Sequence, residues 1–192
     1  TIDKISNELT PMVATARLIK QEHPDASVVF IGPCASKKLE ASRRTVRSDV
    51  DFVITFEELT GMFEAKGILL DEIKAMDEMK DATAAGRGYG VAGGVANAIK
   101  ECIEKYYPGT PVNIQHAESL AECKKALLLA KAGKMNGCLI EGMACPGGCI
   151  AGAGTNIAIP IAARAVDKFK NEAEKKVPDE SVDQEMVELE KE

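Results

Sequence analysis

Four short apolar runs, each leading into a stretch with helical spacing, constrain this chain more than any other feature. They are Ser27–Ile31, Val50–Ile54, Val112–His116 and Cys138–Glu141. The first is unbroken, the pattern of a strand buried on both faces, and the third alternates. Strands that take turns with helices predict an α/β fold with mainly parallel strands. We expect two small intertwined α/β units meeting at the loops that carry cysteines. One holds the first two runs and the other holds the last two. The boundaries read as 1–85, 86–165 and a charged helix or tail over 166–192.

Local signals support the alternation. Thr10-Pro11 starts a helix with Met12, Ala16 and Ile19 on one face, and Pro24-Asp25 breaks it. A short basic helix begins near Ser36. Thr55-x-x-Glu58 is a capping box, and Gly67 closes the helix that it opens. The stretch from Asp71 to Ala85 reads as a loop with some helix. A helix follows Gly86–Gly94 and ends near Tyr107-Pro108, another runs from Ser119 to Gly133, and a last one follows Pro160. Beyond Glu172 the chain is charged, with Val182, Met186 and Leu189 at helical spacing but with little around them to bury.

Six cysteines in 192 residues are too few for a disulfide scaffold, so their positions carry the information. Cys102 and Cys123 fall in helix-like stretches and read as small buried hydrophobes, and Cys138 reads as a strand residue. Cys34, Cys145 and Cys149 instead lie in Gly/Pro loops directly after apolar runs, at the carboxyl edge of the sheets, where α/β folds bind ligands. A net charge of −6 argues against nucleic acid. The basic cluster Lys37, Lys38, Arg43, Arg44 and Arg47 reads as a solvated helix face. Neither a membrane-spanning run nor a signal peptide is legible, so no membrane partner and a cytoplasmic location are expected. The chain starts with Thr, which predicts processing or excision from a longer one.

Cys145-x-x-x-Cys149 places two thiols in one Gly-rich turn, where Gly147 and Gly148 let the backbone approach closely. Thiolate-rich sites select zinc or iron–sulfur clusters. His23 and His116 lie outside the motifs, so the short-spaced fourth ligand of a structural zinc site is missing and an iron–sulfur reading leads. Zinc and unliganded thiols stay open on spacing alone. Gly88-Tyr89-Gly90-Val91-Ala92-Gly93 spells G-x-G-x-x-G, with Glu118 as a candidate ribose acid. No apolar strand precedes it, which a dinucleotide site requires.

Pro33-Cys34-Ala35-Ser36-Lys37-Lys38-Leu39-Glu40 resembles the P-C-x-x-K-K-x-E motif of iron-only hydrogenases. Glu141 to Gly154 resembles their E-x-M-x-C-x-x-G-C-x-x-G-x-G motif, and the order is right. The resemblance implies that Cys34 and Cys145 are ligands of a [4Fe–4S] cluster, with Cys149 bridging to a two-iron subcluster. Lys37 then matches the lysine that donates to a cyanide of the two-iron unit, and Met143 the methionine packed against it. Ile5 to Pro11 resembles L-S-x-x-x-S-P, which makes Ser6 a match for a serine of the proton path. The Gly-rich stretch resembles F-G-x-x-G-G, with Tyr89 in the aromatic place and its glycines beside the cluster.

The resemblance implies anaerobic hydrogenase chemistry in an intact protein, with electrons from ferredoxin or another carrier through N-terminal iron–sulfur domains. Gly32 stands where the family often has Met. The motif T-S-C-C-P, which supplies one cluster ligand and the proton-shuttling cysteine, is absent and is expected shortly before residue 1. The 192-residue chain alone is therefore expected to be inactive, with no intact cluster of its own. The alternative is a non-catalytic iron–sulfur relative, either a hydrogen or redox sensor or a Nar-type iron–sulfur assembly factor.

Overall fold

Two parallel strand pairs organise the chain, as the alternation predicts. A computed structural model describes residues 2–43, 48–74 and 82–178. Among them, one unit comprises 6–43, 48–74 and 152–156, and the other 2–5, 82–151 and 157–178. Arg44 and Arg47 of the basic cluster, and Val182, Met186 and Leu189, lie outside the described residues.

In the first unit, helix α1 (Pro11–Glu22) opens on proline, whose missing N–H costs nothing in a first turn. Thr10 precedes it in extended conformation but makes no side-chain cap. Met12, Val13 and Ala16 of α1 form the buried core with Val50. Strand β1 (Val29–Gly32) leads through α2 (Ser36–Ser42) to β2 (Phe52–Thr55), with Val29 beside Phe52 and Gly32 beside Thr55. Phe30 and Val53 pack against the α1 core. The opposite face stays open, with Val29 43%, Ile31 44% and Phe52 62% exposed. The expectation of a strand buried on both faces is corrected here. An unbroken apolar run cannot tell one covered face from two, because every residue in it is apolar.

Thr55 ends β2 and caps α3 (Phe56–Ala65). Its Oγ1 accepts the Glu58 N–H at 3.2 Å, and Glu58 Oε2 accepts the Thr55 N–H at 2.8 Å. Lys38 lies 2.8 Å from Glu58. The lysine first, and then the Thr55 N–H, holds the Glu58 carboxyl below its ordinary value. That depression makes a small contribution to stability above the ordinary carboxylate range, lost as pH falls through the folded value. Thr55→Ala should destabilise the chain by about 1–2 kcal/mol, read from urea midpoints at neutral pH. The stability lost between neutral and acid pH should be largely retained in the same variant, because Lys38 and the backbone N–H at position 55 still face Glu58.

In the second unit, α4 (Ala84–Arg87) and a tight 3-10 turn at Gly88–Gly90 precede α5 (Gly94–Tyr106). Strand β3 (Asn113–Glu118), helix α6 (Leu120–Lys131) and strand β4 (Cys138–Met143) follow. Asn113 pairs with Cys138, and the register runs to Glu118 beside Met143. Helix α7 (Ile159–Asn171) is tied to α4 by Arg87, which stacks 4.1 Å from the Phe169 ring and donates to the Phe169 carbonyl. Cys102 and Cys123 are only partly buried, short of the burial expected of them, and Cys138 opens β4 as a strand residue. No described helix is long and apolar enough to cross a membrane.

Candidate functional site

Strand β4 runs straight into the cysteine turn. The Gly148 N–H donates to the Cys145 carbonyl at 2.9 Å, and the Ala151 N–H to the Gly148 carbonyl at 3.0 Å. Gly147 (φ +96°) and Gly148 (φ +92°) take left-handed conformations in succession, which few L-residues adopt. Gly148 is buried, and a Cβ there would stand 2.5 Å from Ala92 N and Val91 C. Ala92 N–H donates to the Gly147 carbonyl at 3.0 Å. The turn thus closes backbone to backbone on the segment Gly90–Ala92.

The G-x-G-x-x-G string therefore packs against protein backbone, and the dinucleotide reading does not survive. A dinucleotide's pyrophosphate needs the free N–H groups at the start of α5. The buried Glu141 carboxylate already accepts them, from Gly93 at 2.6 Å, Val95 at 3.0 Å and Ala96 at 3.1 Å. Glu118, the candidate ribose acid, accepts the Gly147 N–H at 2.9 Å instead. Tyr89 is half-buried in the 3-10 turn, and burial first, with a contribution from Cys102, pushes its hydroxyl above the ordinary value of 10.0.

Cys34 lies partly buried in the loop after β1, and its carbonyl accepts the Lys37 N–H at 3.3 Å. Lys37 Nζ pairs with Glu40 Oε2 at 2.7 Å, both side chains about a quarter exposed. The other Glu40 oxygen accepts the Thr10 hydroxyl. Ser6 is exposed, and its Oγ accepts the Glu8 N–H at 3.2 Å, a local turn contact. Met143 is partly buried at the end of β4, where its carbonyl accepts the Ser119 N–H at 2.9 Å.

Within the first unit, Gly154 N–H donates to the Pro33 carbonyl at 3.0 Å, and Glu57 N–H donates to the Gly154 carbonyl at 3.1 Å. A Cβ on Gly154 would fall 2.4 Å from Thr55 Cβ. The last glycine of the Glu141–Gly154 motif is therefore bonded to the residue preceding Cys34.

The donor set fits a soft metal centre. Cys149 is exposed, Cys34 and Cys145 are partly buried, and none of the six cysteines is disulfide-bonded. Glu118 and Glu141 are committed to backbone N–H groups, and His116 Nδ1 sits 3.2 Å from Glu141. The motif thiols are soft donors, which suit iron–sulfur better than hard cations. Among the described residues no three His, Cys, Asp or Glu side chains already form a metal-holding group. Cys34 belongs to one unit, and Cys145 and Cys149 to the other. The roles of Glu40, Glu118 and Glu141 escape the sequence reading. For Glu40 and Glu141 the signal is their place in the two cysteine motifs.

Residues 1–153 match the family described as iron only hydrogenase large subunit, C-terminal domain. A 53-residue stretch is 43% identical to the cytosolic Fe-S cluster assembly factor NAR1 of Kluyveromyces lactis, spanning 28% of this chain and 11% of that protein. Among solved structures, HydA(deltaEFG), whose structure revealed stepwise [FeFe]-hydrogenase H-cluster assembly, has a TM-score of 0.63 at 21% identity. That match covers 95% of this chain and 64% of the other. A variant of apo [FeFe]-hydrogenase HydA1 from Chlamydomonas reinhardtii gives 0.63 at 20%, covering 93% and 63%. At such identities the structural likeness is one of fold. The chain spans less than two thirds of each of these proteins.

Proposed function

The chain belongs to the iron-only hydrogenase large-subunit family, as its C-terminal domain, and on that premise we propose that Cys34, Cys145 and Cys149 are thiolate ligands of its active-site iron–sulfur cluster. In the intact protein the group is a [4Fe–4S] cluster with a two-iron subcluster, the H-cluster. When bound, it supplies the redox chemistry that interconverts protons, electrons and dihydrogen. Cys34 and Cys145 would hold the cubane, and Cys149 would be the thiolate it shares with the two-iron unit. The observation that carries this reading is the family match over residues 1–153, which takes in both cysteine motifs.

The remaining assignments concern this chain's own groups. Lys37 Nζ, now on Glu40, is a charged donor for an anionic ligand of the two-iron unit. Met143 offers a soft, adaptable wall. Gly148 and Tyr89 line the cluster side, and the Ser6 hydroxyl carries protons. Electrons come from ferredoxin or a similar carrier in the cytoplasm. The 192 residues hold three of the four thiolates, so the chain alone does not turn over hydrogen.

A second reading, a non-catalytic iron–sulfur relative, draws support from the NAR1 match and from Gly32 in the pocket wall. The first test is anaerobic reconstitution of the intact protein with ferrous iron and sulfide, followed by iron and acid-labile sulfide analysis. We expect uptake that falls severalfold in each of Cys34→Ser, Cys145→Ser and Cys149→Ser, and is unchanged in Cys102→Ser. Equal uptake by all four variants would defeat the ligand assignment. Hydrogen evolution by the intact protein with a chemical reductant then separates the enzyme from the non-catalytic relative.

A further inference from the structure

We propose that Glu141 is the positioning residue of the cysteine turn, acting through the backbone of α5 and the glycine loop rather than by touching either thiol. Its relevance to a cluster rests on the function proposed above, but its geometry does not. Glu141 is 7% exposed on β4, directly beside His116 in the strand register. A carboxylate so buried is stable only when its lone pairs are satisfied. Oε1 takes the N–H groups of Val95 and Ala96, and Oε2 takes that of Gly93 and faces His116 Nδ1 at 3.2 Å.

These N–H groups are the ones a helix leaves unpaired at its start, where a negative charge is favoured. No side chain of the α5 segment caps them, since the N-cap is Gly93. The cap comes instead from a strand more than forty residues later, and it fixes the start of α5 against β4. Gly94 sits so close to the Gly88 carbonyl that a Cβ would be 2.0 Å from its oxygen, so the loop Gly88–Gly93 moves with α5. Ala92 of that loop donates to Gly147. From Glu141 the chain continues through Met143 to Cys145 and back to Gly147. Covalent and hydrogen bonds therefore form one closed ring, and the carboxylate joins its two ends.

A mere helix cap would influence only the amides that it accepts. A positioning residue must also govern those across the ring. The test is native-state amide exchange by NMR on the full chain and on Glu141→Gln, which keeps the shape but turns an NH2 toward Gly93 or the Val95–Ala96 pair. We expect exchange at Ala92 and Gly148 to accelerate about tenfold or more beyond any change in α6 or in β1 and β2. Acceleration confined to Gly93, Val95 and Ala96, or equal throughout the chain, would overturn the proposal. Should Glu141→Gln not fold, His116→Ala removes one contact to the same carboxylate and is read in the same way, with a smaller effect expected. Iron retained after reconstitution should also fall severalfold in Glu141→Gln, and undiminished retention would count against the proposal. If the wild-type intact protein takes up no iron and sulfide, the cluster reading fails while the exchange result stands.

Discussion

Alanine at position 148 is expected to destabilise the chain by about 2–5 kcal/mol and to abolish iron uptake by the Cys145–Cys149 turn. Two costs combine. The backbone at φ +92° is one that an L-residue adopts only under strain. The new Cβ would also meet Ala92 N and Val91 C at 2.5 Å and Gly90 O at 2.8 Å. Those are backbone atoms, so no rotamer change relieves the collision. Two controls separate the terms. Gly109 has φ +87° but open space around it, so Gly109→Ala should cost only about 1–2 kcal/mol. Gly61 lies within α3 with nothing within 4 Å, so Gly61→Ala should stabilise by roughly 0.5–1 kcal/mol. Denaturant midpoints and iron content report all three. If Gly148→Ala cost no more than Gly109→Ala, the glycine loop would not be what holds the turn.

Lys37→Met in the intact protein should remove the two-iron unit almost completely and leave the cubane in place. The stability loss should be small. Lys37 and Glu40 are both about a quarter exposed, and such pairs contribute about 0–1 kcal/mol. Glu40 also keeps the Thr10 hydroxyl as a donor. A neutral thioether cannot donate to an anionic ligand, whereas the cubane depends on thiolates alone. Loss of the carbon monoxide and cyanide infrared bands, with the cubane's paramagnetic resonance signal retained, is the expected result. Normal hydrogen turnover in this variant would remove Lys37 from the site.

Much of this architecture is readable from residue order because strand and helix periods differ. The runs at Ser27–Ile31 and Cys138–Glu141 lie within two residues of β1 and β4, and the Thr55–Glu58 capping box forms as written. The open face of β1 and β2 is not readable, since Val29, Phe30 and Ile31 are equally apolar and only tertiary packing tells them apart. The cysteine motifs announce ligands, but not what supports them. Glu141 acts on Gly93 across a long stretch of chain, and no local pattern links an acid on a strand to N–H groups on a distant helix. The G-x-G-x-x-G string misleads for a related reason. The segment packs against protein backbone rather than a phosphate, and only the contacts of Gly148 and Gly94, outside the string, reveal it.

The hydrogen bonds that Gly154 makes to Pro33 and Glu57 bear on the order in which this protein emerges from the ribosome. Residues 6–74 are translated first, yet the unit that they belong to also contains 152–156. The nascent chain must therefore wait through the synthesis of β3, α6, β4 and the whole cysteine turn before the Pro33 carbonyl and the Glu57 N–H meet these partners. Until then the Cys34 loop is exposed to solvent and to chaperones with its contacts incomplete. Closing it late ties the completion of the first unit to the synthesis of the Cys145–Cys149 turn, so a chain stalled before Gly154 leaves the Pro33 carbonyl and the Glu57 N–H without these partners.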